Sequence, residues 1–305
     1  MKAVRCTLLV DREIKMGTPD QKTPMEKDKE VISQWSESAP YWEKHREIIR
    51  EMFAPITQAL IEYAKITSGR VVLDVATGPG EPALSIAVLV GAGGKVLGID
   101  AVPEMVEAAR REAYRRGFNN ASFEVAFADN LPFPASTFDA VVSRFGVMLF
   151  PAPVDSVQEM LRVLKPGGRI AMAVWHFAKR NPFHYAVSQV VERYVDSPPP
   201  APDSPDAFRF ADPGKLLTIL SNAGAVATSE RLLRFTIRAP ISVEDFWTLR
   251  SEMSEKLRAK LAMLSKEQMA DLKREVLEAL GAYSANRSMS FPAEVLIVSG
   301  DKKPS

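Results

Sequence analysis

The run Val71-Val72-Leu73-Asp74-Val75-Ala76-Thr77-Gly78-Pro79-Gly80 constrains the fold of this chain more than any other ten residues in it. Its first half has the continuous apolar character of a strand buried on both faces, interrupted by one carboxylate. Its second half is a glycine turn, and a helical apolar pattern follows at once over 81–90. Pro82 suits the first turn of that helix, where a missing N–H is no loss. A buried strand that runs through a Gly-x-Gly turn into a helix opens a parallel strand–helix–strand unit, and the turn brings backbone close to whatever lies beyond the strand end. Side chains would hold a ligand away there, and glycine tolerates backbone angles that a Cβ forbids.

The same alternation continues downstream. Strands are predicted at 71–76, 95–99, 122–127, 138–143 and 169–175, with helices at 81–90, 103–116 and 154–164; Gly93-Gly94, Gly117 and Pro166-Gly167-Gly168 mark the ends of elements. The expected fold class is therefore α/β, a Rossmann-like doubly wound, mostly parallel sheet. Such sheets take ligands at the carboxyl ends of their strands. Ahead of the sheet, 1–28 reads as a flexible tail, with Met16 and Met25 as alternative starts. Residues 29–67 read as an N-terminal helical cap that Pro40 and Pro55 divide into two or three helices. Residues 68–305 form the main domain, with helical insertions near 180–211 and 241–283 that could roof the strand ends. Within them we expect a helix over 181–195 and a Pro/Ser/Asp loop over 197–205. A helix capped by Asp212 and ended by Gly224 follows, then a strand near 229–238, helices over 243–261 and 265–281, and a last strand near 293–299.

Composition narrows the function classes. Of 305 residues, 46% are hydrophobic and 25% charged, the balance of a soluble globular protein with a sizeable core. A formal net charge of +1 supplies no field to steer the chain onto nucleic acid or an anionic membrane. The single cysteine, Cys6, excludes an internal disulfide framework and a cysteine zinc cluster, and no metal is expected. The short apolar run over 3–10 is poor material for a signal peptide, and no stretch approaches a membrane span. The expectation is a cytoplasmic protein acting on a small molecule, with a homodimer left open.

The strand ends carry the candidate chemistry. Asp74, Gly78 and Gly80 form D-x-A-x-G-x-G; with Ala83 they also satisfy G-x-G-x-x-A, so a nicotinamide or flavin dinucleotide site stays open. Asp100 ends the second strand, where a carboxylate accepts hydrogen bonds from ribose hydroxyls or caps the helix over 103–116. Asp129, after the third strand, can accept from an adenine amino group, with apolar neighbours to sandwich the ring.

The segments DVATGPG, GIDAVPEMVEAAR, ADNLPFPASTFDAVVSRFGVMLF and RVLKPGGRIAMAVW occur in this order. Together they resemble class I S-adenosylmethionine-dependent methyltransferases, in particular the branch that includes ubiquinone and menaquinone biosynthesis methyltransferases. The resemblance is strong over about 68–176. It implies S-adenosyl-L-methionine as cofactor, with Asp74, Ala76, Thr77, Gly78 and Gly80 around the methionine part. It further implies Asp100, Ala101 and Met105 at the ribose, Asp129 and Asn130 facing the adenine, Leu131 packed on it, and Arg144 at the junction of cofactor and acceptor. Ala76 departs from the family, many of whose members have glycine there. The implied reaction is methylation of a small, apolar or aromatic acceptor at carbon or oxygen, a quinone precursor being the nearest likeness. The alternatives are a non-catalytic S-adenosylmethionine-binding module and a nicotinamide-dependent oxidoreductase.

A sulfonium is already an activated methyl donor, so a base is needed only where the acceptor must lose a proton. His176, after the fifth strand, is the candidate; His184 reads as helix surface with a lesser claim, and His45 could act only if the cap closes. Phe145, Phe150, Trp175, Phe177 and Phe183 flank the expected pocket mouth. The cations of 250–274 alternate with acids at helical spacing and read as a solvated face.

Overall fold

A computed structural model of the protein describes residues 24–196, 201 and 203–304. The first 23 residues, and with them most of the expected tail, the alternative start Met16 and Cys6, lie outside the described residues, as do 197–200 and 202 of the expected loop. Three helices come first: α1 (Pro24–Lys44), α2 (Arg46–Met52) and α3 (Ala54–Tyr63). The first begins inside the span assigned to the tail. Pro40 lies within α1 rather than ending it, and the breaks fall at His45 and Phe53.

The sheet is built from β1 (Val71–Val75), β2 (Lys95–Asp100), β3 (Ala121–Val125), β4 (Phe138–Arg144), β5 (Leu164–Trp175), β6 (Val226–Ala239), β7 (Ser284–Ala285) and β8 (Ser288–Asp301). Its order is β3-β2-β1-β4-β5-β8-β6, with β7 paired to β8. The first five strands in that order run parallel. At the other edge β8 is antiparallel to both β5 and β6. The mostly parallel, doubly wound expectation is met. Val72–Val75, Ala140–Ser143 and Ile170–Trp175 are buried without alternation, because both faces are covered.

Helices α4 (Ala83–Val90), α5 (Pro103–Arg115) and α6 (Pro153–Val163) cross between the parallel strands. Proline opens α5 and α6 at N1, where no N–H is required. Pro82 stands one residue ahead of α4 as its cap, so it precedes the helix it was expected to start. The segment Pro166-Gly167-Gly168 does not end an element before β5: the strand starts at Leu164, paired to Phe138, and carries a register shift through the glycines.

Roof helices follow: α7 (Pro182–Val191), α8 (Lys215–Asn222), α9 (Val243–Met253), α10 (Glu255–Ala262) and α11 (Lys266–Gly281). The helix expected over 243–261 is two helices, broken at Ser254, whose hydroxyl accepts from the Leu257 N–H and caps the second. Asp212 does not cap α8. Gly214 takes the cap position at φ +85°, and its N–H donates to the Glu230 carboxylate at 3.0 Å. The cap packs on the sheet through α3, which contacts β4, β5 and β8, while α1 lies on α5, α9 and α10.

Candidate functional site

The parallel strands end together, and the first of those ends is built around Asp74. Its side chain is fully buried; Oδ2 accepts from the Thr77 hydroxyl at 2.7 Å and from the Ala83 N–H at 3.0 Å, while Oδ1 has no protein partner. Burial pushes its pKa up to about 7, against the opposing pull of Thr77 and of Arg144. The carboxylate thus ties the turn to the start of α4 and keeps one oxygen uncommitted. The turn is also held to β2, since the Thr77 N–H continues the ladder to the Ile99 carbonyl at 2.9 Å.

Asp100 closes the same loop from the other side. Its Oδ2 accepts from the Gly78 N–H at 2.9 Å and its Oδ1 from the Val102 N–H at 3.0 Å. Burial raises its pKa to about 6. A Cβ on Gly78 would meet nothing within 4 Å, so the space over this turn is open, and Ala76, Gly78, Asp100 and Ala101 all keep partial exposure beside it. Met105, by contrast, is buried with Ala39 and Val102 beneath Trp35 and Trp42 of α1. The cap helix therefore overhangs the expected ribose end, and Trp42 Nε1 is a buried donor without a partner there.

Asp129 and Asn130 are exposed in a tight turn after β3, bracketed by the Phe127–Asn130 bridge. Leu131 is 4% exposed, its N–H and carbonyl tied to Glu159 and Arg162 on α6. The acid and amide are accessible where an adenine edge was expected, whereas Leu131 is a core residue that anchors the turn. Arg144 donates to Thr57 Oγ1 at 2.9 Å and to the Glu81 carbonyl at 3.1 Å, with its guanidinium 5.8 Å from the Phe53 ring. Burial lowers its pKa, opposed by Glu81 and Asp74.

Two strained residues face each other across these ends. Ala76 has φ +60° and Phe145 φ +63°, left-handed angles that cost a residue with a Cβ of order 1–3 kcal/mol. Between them sits Gly146, where a Cβ would lie 2.6 Å from the Ala76 Cβ and 2.7 Å from Ser143 Oγ. The methyl of Ala76 thus makes glycine obligatory at 146.

Phe145 leads into an aromatic wall. Its ring stacks on Trp175 at 4.3 Å and 9°, and Phe53 meets Phe145, Trp175 and Phe183 edge-on at 5.5–5.8 Å. His184 stands edge-on to Trp175 at 4.7 Å and to Phe183 at 5.0 Å. His184 is therefore not a helix-surface residue. Arg250 of α9 departs from the expected solvated face as well: its guanidinium lies 4.6 Å from the Phe183 centroid and donates to His184 Nδ1 at 3.2 Å. The signal was present in the spacing, since Arg250 falls four residues after Phe246 and three before Met253, both buried. His176 lies elsewhere. Its Nδ1 is 2.7 Å from Glu294 Oε2, Arg234 donates to Oε1 of the same carboxylate, and its ring neighbour is Phe177. His45 joins the cap to the roof through Glu252 at 2.6 Å, beside the Lys44–Glu252 pair at 2.8 Å.

Buried polar side-chain atoms without a hydrogen-bond partner cost free energy unless something satisfies them. Among the described residues they are Trp42 Nε1, Arg46 Nε, Asp74 Oδ1, both Glu81 carboxylate oxygens, Ser143 Oγ, His184 Nε2 and Arg250 Nε. Arg46 Nε is answered by an ion pair with Glu112 at 3.0 Å, and Glu81 Oε1, but not Oε2, by one with Arg116 at 3.5 Å. The rest lie on the strands β1 and β4, the turn into α4, the cap helix α1 and the roof helices α7 and α9. A cleft of about 690 Å³ between α3 and α4, lined by Arg50, Glu62, Lys65 and Val88 among others, contains none of them.

Residues 66–223 match the methyltransferase domain family, and the chain belongs to it. With its sheet order and motif set, it is a class I S-adenosylmethionine-dependent methyltransferase by family. It is 38% identical over 121 residues to the aklanonic acid methyltransferase DauC of Streptomyces sp. (strain C5), covering 40% of this chain and 55% of that protein. Against the nocamycin O-methyltransferase of Saccharothrix syringae it is 27% identical over 266 residues, 84% of this chain and 93% of that one. Against the ubiquinone/menaquinone biosynthesis C-methyltransferase UbiE of Azotobacter vinelandii it is 37% identical over 135 residues, 44% of this chain and 52% of that one. The chain thus spans about half the length of two of these relatives and nearly all of the third.

The residues present fit the family's cofactor. Asp74 Oδ1 is a buried carboxyl oxygen without a protein partner, the space over Gly78 lets the backbone come close to a ligand, and Asp100 adjoins it.

Proposed function

We propose that this protein transfers a methyl group from S-adenosyl-L-methionine to a small aromatic acceptor, at carbon or oxygen. The observation that carries the reading is the uncommitted, fully buried Asp74 Oδ1 beside the open Gly78 turn. Asp74, Ala76, Thr77, Gly78 and Gly80 would hold the methionine part and Asp100 and Ala101 the ribose. Asp129 and Asn130 would meet the adenine. Met105 would act indirectly, by seating Trp35 and Trp42 of the cap over the ribose end.

When bound, the cofactor supplies a methyl on a sulfonium, whose C–S electron pair returns to sulfur as the acceptor takes the methyl. The protein's part is alignment and exclusion of water. Phe53, Phe145, Trp175 and Phe183 would present the acceptor's ring to the junction near Arg144, and their faces favour a passing cation. His176, paired to Glu294, supports strand β5 rather than this wall, so its assignment as base gives way to a reading in which the acceptor arrives as its own anion. The relatives bear both O- and C-methyltransferase names, so likeness does not choose the acceptor atom. In the domain division that this reading uses, a cap over 29–67 closes on a catalytic domain over 68–305, whose insertions near 180–211 and 241–283 set specificity. No described helix is long and apolar enough to cross a membrane; we infer a cytoplasmic protein, with a homodimer as a form to look for by light scattering.

Calorimetric titration with S-adenosylmethionine, S-adenosylhomocysteine and NAD in parallel tests the cofactor. Binding of the first two and not of NAD is expected. NAD binding alone would overturn the reading, and cofactor binding without transfer to any acceptor would favour a non-catalytic module.

A further inference from the structure

On the acceptor side, two nitrogens are buried without partners on adjacent side chains: His184 Nε2 and Arg250 Nε. Their geometry fixes which atoms carry hydrogen. Arg250 has only donors, so at 3.2 Å its guanidinium must give a hydrogen to His184 Nδ1, which is then the lone-pair nitrogen. The ring's single proton therefore sits on Nε2. Nδ1 is committed to Arg250, and Nε2 has no lone pair to offer. In this arrangement His184 is a donor and not a base.

The surroundings keep it so. Burial, and then the charge of Arg250, lower the His184 pKa well below the usual histidine value. Arg250 stays cationic despite burial, with its pKa brought down only to about 10. The imidazole is boxed edge-on by Trp175, Phe183 and Phe208 at 4.7–5.5 Å, and the guanidinium lies over the Phe183 face. A neutral N–H donor and a cation thus share an aromatic enclosure. An oxygen lone pair, best as an anion, is the group that would satisfy the Nε2–H beside this cation.

We propose that His184 and Arg250 form an oxygen-recognition pair, and that the acceptor is an aromatic molecule carrying an oxyanion or carbonyl oxygen. This rests on the methyltransferase reading of the same site. His184 Nε2–H would donate to that oxygen, with Arg250 orienting the imidazole and supplying positive charge. For such an acceptor the same contacts favour the deprotonated form, so no protein base is required. The loss of a neutral donor and the loss of the cation separate in the variants that follow.

The test uses the full-length protein loaded with S-adenosylhomocysteine and two probes, 2-hydroxy-1,4-naphthoquinone, an oxyanion at neutral pH, and naphthalene, titrated calorimetrically. The wild type should prefer the oxyanion by about tenfold or more, the worth of one or two charge-assisted hydrogen bonds. His184→Met should lose most of that preference, whereas His184→Gln, which can both accept from Arg250 and donate onward, should keep it to within about threefold. Arg250→Met should abolish it. Equal preference in His184→Met and wild type, equal impairment in the Gln and Met variants, or failure of the wild type to bind either probe would each overturn the proposal. S-adenosylhomocysteine affinity, measured first on every variant, reports on folding and on the cofactor reading separately: it should not change. If the wild type fails to bind S-adenosylhomocysteine, the methyltransferase reading falls on that result alone.

Discussion

The carboxyl edge of this sheet is assembled in two contrasting ways. On the proposed cofactor side, the groups for the methionine part and the ribose lie within 74–105 and are held by backbone: Asp74 accepts from the Ala83 N–H, Asp100 from the Gly78 and Val102 N–H groups. On the proposed acceptor side, Phe53, Phe145, Trp175, Phe183, His184 and Arg250 converge from five separate stretches and touch through side chains. A backbone-built site tolerates little change of sequence. A side-chain-built site can exchange its residues while the scaffold stays put, which is how one fold serves many acceptors.

The sharpest way to break this contrast is Asp74→Asn. Asparagine keeps an acceptor for Thr77 and Ala83 but removes the charge. S-adenosylmethionine affinity should fall by roughly 30–150-fold, equivalent to about 2–3 kcal/mol. Melting at pH 8 should stay level or rise, because the ionised carboxylate is buried at a cost. Unchanged affinity in a folded variant would remove Asp74 from the cofactor site.

Asp100→Ala should weaken cofactor binding by about 10–100-fold. Here the melting temperature should fall too, since two backbone N–H groups lose their acceptor. Loss of stability with intact affinity would make Asp100 a loop brace alone.

A pH series probes the same pair without mutation. Burial raises Asp74 to about 7 and Asp100 to about 6 from a usual 3.8. Between about pH 4 and 7 the folded protein then holds protons that the unfolded chain has lost, so their contribution to stability falls as pH rises through that window. A cationic ligand selects ionised Asp74, so affinity should climb about tenfold from pH 6 to 8 and then level off, with protons released on binding. Calorimetry in two buffers of different ionisation enthalpy reads this directly, and a flat profile would mean that Asp74 is already ionised.

The smallest effect should come from the bridge between cap and roof. Glu252→Gln removes the Lys44 and His45 pairs, which are partly exposed and worth about 1 kcal/mol or less. Cofactor affinity should move by less than about twofold, from the same screened energies. A tenfold loss would show that cap closure is part of cofactor binding and would dissolve the division drawn above.

Much of the cofactor side was legible beforehand, because strand, turn and helix are periodic and local. Asp74, Gly78 and Asp100 could be placed at strand ends from hydrophobic period and glycines alone. Leu131 and Met105, expected near the ligand, are both buried, Met105 beneath the cap, and burial of this kind depends on which way a side chain turns. On the acceptor side, His176 and His184 are eight residues apart and look alike in sequence; Glu294 and Arg250, far along the chain, decide what each one does.

By itself the sequence determined the parallel sheet, which follows from local apolar periodicity and from backbone turns that few residues can make, and the resemblance of four segments pointed to the family. Only the tertiary structure decided which buried polar atoms lack partners, which side chain His184 meets and how α1 covers Met105. Those are properties of contacts between distant segments, and no local pattern encodes the partner that a side chain will meet.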